Sequence, residues 1–239
     1  MVSNLESNVF KTALLFEGGS MRGAYTCAVA AELLDRGIYF DNVYGVSAGS
    51  SNTVNYVSRD IDRTISSFTD FINMEGIGDW KSFLRHEGLW NAHYIYQEAG
   101  LPGGMLPFDI DTFVANPAKA TIFALERDSG RDLYFRKEDM GTIGDLMLRV
   151  RASSTVPIIM PPPQVHGRYC YDGGFAVGGG LRLRALQPMD SIASSLFARA
   201  NAATARRVTM LGRTCSSGVA PPCAKLCSRA THATTKRAT

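Results

Sequence analysis

The chain has 239 residues, 45% of them hydrophobic, with a formal net charge of +3, which suits one sizeable core and excludes disorder throughout. No run of about 18 uncharged apolar residues occurs, so no bilayer span is expected, and the opening MVSNLESNVFKTALLFEGG lacks the basic, apolar and cleavage regions of a leader; the expectation is a cytoplasmic protein. The net charge hides a division: residues 181–239 hold ten Lys or Arg and one acid, Asp190, leaving fifteen basic and twenty-one acidic residues in 1–180.

Within 1–180 short apolar runs alternate with helical patterns. Thr12 to Phe16 (TALLF) reads as a buried strand, followed by the glycine loop EGGSMRG. Ala24 to Arg36 reads as a helix, with Cys27, Ala31 and Leu34 at helical spacing and Gly37 placed to close it. NVYGV (42–46) is a second strand, and the small residues after Ser47 lead into another helix. ATIFALERDSGRDLYF predicts two strands around the turn Asp128-Ser129-Gly130. Thr142 and Asp145 have capping-box spacing before a helix reaching about Ser153, and GRYCYDGG carries a strand that ends at Asp172. Strands and helices alternating over short links predict a layered α/β sheet.

Gly45-Val46-Ser47-Ala48-Gly49 is a G-x-S-x-G pentapeptide between a predicted strand and a predicted helix. Alone such a match arises by chance in about one chain of this length in ten. Its placement is that of a nucleophile elbow, where a strained turn lifts the serine hydroxyl above the sheet. Side chains larger than hydrogen at Gly45 or Gly49 would clash across that junction.

The earlier loop does not suit nucleotides. Gly18 and Gly23 have the outer spacing of a P-loop, but Ala24 and Tyr25 stand where Lys and Ser or Thr are needed. Ser20 occupies the middle glycine position of a dinucleotide fingerprint, and Asp41 precedes its predicted strand. What remains is a loop of backbone N–H groups suited to an oxyanion. Arg22 either anchors the loop or attracts an anionic head group.

A base for Ser47 is not found among the histidines His86, His93, His166 and His232; only His232 follows a plausible acid in hydrolase order, and it lies in the basic tail. Asp172 ends its strand before Gly173 and Gly174, which let the backbone turn closely past a neighbouring loop. Cys27 and Cys170 sit in apolar stretches and read as small buried thiols. Cys215, Cys223 and Cys227 lack a second tight pair, so no zinc site is expected.

The four blocks Gly18-Gly19-Ser20-Met21-Arg22-Gly23, Gly45-Val46-Ser47-Ala48-Gly49, ASSTVPIIMPP (152–162) and Asp172-Gly173-Gly174 agree in order and spacing over residues 10–180 with one family. The chain resembles the patatin-like phospholipases, in their bacterial branch. The resemblance implies a three-layer α/β/α sandwich and a Ser–Asp dyad without histidine, with Ser47 as nucleophile, Asp172 as general base and backbone N–H groups of Gly18 to Gly23 as the oxyanion hole. It implies a lipid ester substrate, transient contact with a membrane surface, and no metal or cofactor. Ser20 departs from the family, which has a third glycine there; the N–H is kept but the turn loses freedom.

After Gly180 the family's alternation of strands and helices has no counterpart. Residues 181–239 form a basic, low-complexity tail with Phe197 as its one aromatic residue; it reads as disordered or as translated from a shifted frame, not as a nucleic-acid arm, since its charges form no stripe and no aromatics interleave. A replaced C-terminal part would leave the sheet an open edge, so the alternative to an active hydrolase is an inactive lipid-binding or scaffold protein. Between elbow and acid, Trp80, Leu84, Leu89, Trp90, Tyr94 and Tyr96 either line an acyl groove or lid, or belong to the core.

Overall fold

The computed structural model describes residues 5–70, 77 and 90–176 and the backbone of 195–197. Strand β1 (Val9–Phe16) is followed by α1 (Gly23–Asp35), β2 (Phe40–Val46), α2 (Ala48–Val57) and the short α3 (Ile61–Ser66). After a π-helical turn at Tyr94–Glu98 come α4 (Ile110–Ala115), β3 (Lys119–Glu126), β4 (Asp132–Arg136), α5 (Ile143–Ser154), β5 (Gln164–Val165) and β6 (Arg168–Asp172).

The expected boundaries hold to within a few residues, and the local chemistry explains them. The Gly37 N–H bonds the Leu34 carbonyl at 3.0 Å and Ile38 N–H reaches Leu33 at 2.9 Å, with Gly37 at φ 65°, so α1 closes through a left-handed glycine. Thr142 Oγ1 caps α5 by accepting the Asp145 N–H at 3.1 Å. Asp41, expected before its strand, lies inside β2, because pairing with β1 begins at Phe40 opposite Val9. It stands at the strand's start and not at its end, so the nucleotide fingerprint remains incomplete.

The sheet is mixed. β1, β2 and β3 run parallel, while β4 and β6 are both antiparallel to β3. β3, as long as β1, serves partners on both edges. β2 covers positions 119–123 and β4 covers 121–125, which forces these two onto opposite edges. β6 pairs with 124–126, overlapping β4, so it continues the edge that β2 leaves. The two strands meet end to end along β3: Val46 stands opposite Phe123 and Asp172 opposite Ala124, one position on.

Alternation along the strands divides the core. Leu14, Phe16, Ile122 and Ala124 join Ala30, Leu34, Val54, Leu146 and Val150 of the helices in one cluster, while Leu15, Val46 and Phe123 form a second on the opposite face with Tyr44. No residue of a described helix belongs to that second cluster. Tyr44 and Phe123 stack there with ring centroids 6.0 Å apart.

The tail, expected to lack elements, contributes one: Ser195–Phe197 (β7) runs parallel to β1 opposite Leu14–Phe16. The edge expected to lie open is therefore paired over three residues, a stretch too short to carry periodicity in the sequence. The tail's cysteines and His232 lie outside the described residues, as do His86, Trp80, Leu84 and Leu89.

Tyr56 ties α2 to the start of β2. Its buried hydroxyl donates to the Ile38 carbonyl at 2.6 Å and accepts the Phe40 N–H at 3.0 Å, and its ring meets Phe16 edge-on at 5.8 Å. Tyr56→Phe should leave both backbone groups short of a partner and lower stability by about 1–3 kcal/mol in urea unfolding with little change in slope.

Candidate active site

Ser47 occupies the turn between β2 and α2 with φ 56° and ψ −131°, a conformation sparsely populated for residues with a side chain and diagnostic of an elbow held by its surroundings. The surroundings are glycine-dependent as expected. A methyl at Gly45 would overlap the Thr53 hydroxyl and the Gly49 carbonyl, and one at Gly49 would overlap the Phe16 carbonyl. The first turn of α2 then fastens the elbow: the Ser50 N–H and hydroxyl both donate to the Ser47 carbonyl, at 2.8 and 2.6 Å.

The junction of β2 and β6 brings Asp172 to this turn. Ser47 Oγ donates to Asp172 Oδ2 at 2.5 Å, a length proper to a hydroxyl on a carboxylate. Oδ1 accepts the Gly174 N–H at 2.7 Å, and the Asp172 N–H is held by the Thr155 carbonyl at 2.8 Å. A methyl at Gly173 would approach the Phe123 carbonyl to 2.6 Å and Val46 to 2.9 Å, so the turn after the acid passes directly over the strand ends. Ser47 is 9% exposed and Asp172 5%. Burial raises the Asp172 carboxyl above its usual range, opposed by the bonds from Ser47 and Gly174.

Two serines that the sequence reading left without a role complete the support. Ser153, near the end of α5, accepts the Ser47 N–H at 2.9 Å and donates to the Phe123 carbonyl at 2.6 Å, spanning the gap where β2 and β3 part. Ser154 Oγ lies 3.4 Å from Ser50 Oγ and hydrogen-bonds the Tyr96 hydroxyl, whose pKa burial raises, with Asp172 adding to the rise. Both serines fall inside the ASSTV block. Their signal was two adjacent hydroxyls at the C-terminus of a helix, where propensity alone does not favour them.

The glycine loop packs against the elbow: a methyl at Gly18 would come within 2.5 Å of Ser47 Cβ and 3.3 Å of its Oγ. Gly19 has φ 142° and Ser20 φ 53°, so the serine that departs from the glycine pattern pays in backbone strain. Of the six N–H groups nominated for an oxyanion, those of Arg22 and Gly23 are spent inside the turn, on the Gly19 carbonyl at 3.0 Å and on the carbonyls of Ser20 and Met21. Arg22 Nε reaches the Gly19 carbonyl at 3.5 Å, anchoring the loop weakly from an exposed position.

Ser47 opens into a cavity of about 490 Å³, lined mainly by apolar side chains that include Val54, Phe68, Met147 and Met160. Trp90 and Tyr96 line it too, so part of the aromatic segment faces the cavity, while Tyr96 also packs on the main core cluster. The described histidines are elsewhere engaged: His93 Nδ1 with Glu98 at 2.8 Å, and His166 Nε2 with Arg149 Nη2 at 3.1 Å. Cys27 and Cys170 are buried, and desolvation pushes their thiols up to about 12 and about 11. No helix among the described residues is long and apolar enough to cross a membrane.

The family model described as patatin-like phospholipase matches residues 14–178, a span that takes in the glycine loop, the elbow, the ASSTV block and Asp172. The chain belongs to the patatin-like phospholipase family. Patatin-like domains are associated with lipid acyl hydrolysis. Among solved structures, VipD from Legionella pneumophila is similar at 13% identity and a TM-score of 0.44, over 69% of this chain and 46% of that one. This chain therefore spans less than half of VipD's length. No curated protein sequence matches it significantly.

Asp172 carries a stability consequence. Its folded-state value stands above the unfolded one, so its contribution is fully present below the ordinary carboxylate pKa and is lost as pH rises through the raised value. Asp172→Asn should therefore melt higher than the parent at about pH 7, the gap shrinking towards about pH 4; calorimetry across that range checks it, and an equal or lower melting point at neutral pH would mean that the two hydrogen bonds outweigh burial.

Proposed function

We propose that this patatin-like chain is a serine acyl hydrolase of lipid esters, of the phospholipase A or lysophospholipase type, working through a Ser47–Asp172 dyad. The observation that carries the reading is the 2.5 Å bond from Ser47 Oγ to a buried carboxylate beside an apolar cavity. Ser47 Oγ attacks the ester carbonyl as its proton passes to Asp172. The N–H groups of Gly18, Gly19, Ser20 and Met21 supply the oxyanion donors, the other two of the loop being committed to the turn. Collapse expels the alcohol, which takes the proton back from Asp172. Water, deprotonated by Asp172, then attacks the acyl-enzyme, and as the Oγ–acyl bond breaks Ser47 takes the proton from Asp172 and the fatty acid leaves. Burial makes Asp172 a stronger base than a solvated carboxylate, which is what a dyad lacking histidine requires.

Contact with a lipid surface fits the rim of the cavity. Ile158 lies between the lining residues Val156 and Met160, is 89% exposed and has φ 73°. A β-branched residue in that region is strained by about 1–3 kcal/mol, and neither hydrophobic cluster of the described residues includes its side chain. Exposed Met21 borders the same cavity. Ile158→Asn is expected to stabilise the chain while lowering hydrolysis of vesicle lipid relative to a soluble short-chain ester; equal rates on both substrates would remove Ile158 from the lipid contact.

The hydrolase reading is tested by a fluorophosphonate probe together with hydrolysis of a short-chain p-nitrophenyl ester. The parent should label and turn over; Ser47→Ala should do neither, and Asp172→Asn should lose about 10²–10⁴-fold in rate. The parent's kcat/KM should rise with pH along a limb lying above the ordinary carboxylate range, because Asp172 must be ionised to accept the proton and its value is raised. A folded chain that neither labels nor hydrolyses would overturn the reading in favour of lipid binding without chemistry.

A further inference from the structure

The cavity beside Ser47 contains a charge that the dyad does not use. Arg63 lies in α3, whose start is fixed by Asp60: its Oδ1 accepts the Arg63 N–H at 2.8 Å. From there the side chain reaches the same cavity wall as Ser47, and among the described residues lining it Arg63 is the one that carries a full charge, with no acid beside it.

The partners of the guanidinium are neutral. Nε donates to the Pro107 carbonyl at 3.1 Å, Nη1 donates to Asn55 Oδ1, and the group lies 4.9 Å from the Phe108 ring centroid. Among the described residues no acceptor takes Nη2, and no carboxylate pairs with the group. Burial lowers its pKa to about 10, with Asp60 opposing, so it remains charged at neutral pH. A partly desolvated guanidinium with a free donor and, among the described residues, no carboxylate in contact is costly to hold, Asp60 acting on it only at a distance; an oxyanion entering the cavity would relieve that cost through charge-assisted hydrogen bonds.

We propose that Arg63 is a specificity residue that recognises an anionic oxygen group on the amphiphile occupying this cavity, so that the site favours anionic lipids over neutral glycerides. The inference rests on the reading of the cavity as the lipid site, but not on turnover. The shared chemistry has two sources, the phosphate of a lipid head group and the carboxylate of a released fatty acid, and both are small enough for one guanidinium.

Equilibrium binding to the 239-residue chain carrying Ser47→Ala tests it without catalysis, following tryptophan fluorescence or heat with dodecyl phosphate, laurate and the neutral dodecyl glucoside as monomers. Dodecyl phosphate or laurate should bind on the order of tenfold more tightly than the glucoside, the difference made by one charged hydrogen bond. Arg63→Gln should erase that preference and Arg63→Lys should keep part of it. Tighter binding of the phosphate assigns the anion to a head group, and tighter binding of laurate assigns it to the product acid; either supports the proposal. Equal binding of all three by the Arg63 parent overturns it. So does an Arg63→Gln variant that weakens the three ligands equally, because a guanidinium that merely clasps Pro107 and Asn55 would act on every ligand alike. Anion-selective binding by a chain without esterase activity would count against the hydrolase reading and leave this one standing.

Discussion

The bond between Ser47 and Asp172 joins residues 125 positions apart, and it exists because β3 is longer than either strand on one of its edges. β2 runs along that edge in one direction and stops at Val46; β6 runs along it in the other and stops at Asp172. Two chain ends that approach head-on leave a gap in the ladder, and a gap in a ladder holds unpaired backbone groups that must be satisfied. Ser153 fills it by bridging the Ser47 N–H to the Phe123 carbonyl. The glycines follow from the same constraint. Gly45 and Gly49 let the chain leave β2 for α2 without retreating from β1, and Gly173 lets it leave β6 without lifting off β3. A one-residue slip of β6 on β3 would turn Asp172 to the other face of the sheet and remove the pair.

What the sequence made legible is what depends on neighbours a few residues apart. The caps of α1 and α5, the strand before the elbow and the glycines of the turn are local matters of φ, capping and period, and they were read within a few residues. Asp172 was read from the Asp-Gly-Gly turn and from the lack of a usable histidine, and its place as base came from the family resemblance. The support was not legible. Ser153 acts on residues 106 and 30 positions away, and the paired hydroxyls at the end of α5, its one local signal, do not say what they would bond. The direction of β6 was equally hidden, since a short strand reads alike parallel or antiparallel. Arg63 gave no signal, because the six residues of α3 are too few to show which face is buried.

Strain is concentrated where the chemistry is proposed. Of the six described residues other than glycine with positive φ, Ser20 and Ser47 line the cavity and Ile158 lies between two residues that do. Such conformations persist only when the surrounding packing over-determines them. At Ser47 it does so visibly, through Ser153, Ser50 and the glycine contacts. At Ile158 none of the described residues gives comparable bracing, which is the ground on which a lipid contact is proposed for it.

Burial acts on two thiols and one carboxylate in this protein with opposite chemical results. It pushes the Cys27 and Cys170 thiols to about 12 and about 11, and since the thiolate is the reactive form, it silences them. It raises Asp172 as well, and since a carboxylate gains basicity as its pKa rises, the same desolvation makes Asp172 more useful. The limit is set by the folded state, which must hold that carboxylate ionised. The Ser47 hydroxyl and the Gly174 N–H each favour the charged form and restrain the rise. In the proposed mechanism one of these two donors, Ser47, is the group to be activated. On that proposal, when Ser47 gives up its proton the carboxylate loses its strongest reason to stay charged at the moment it accepts one, so the proposed dyad without histidine would pass a proton across 2.5 Å with little rearrangement of the surrounding protein.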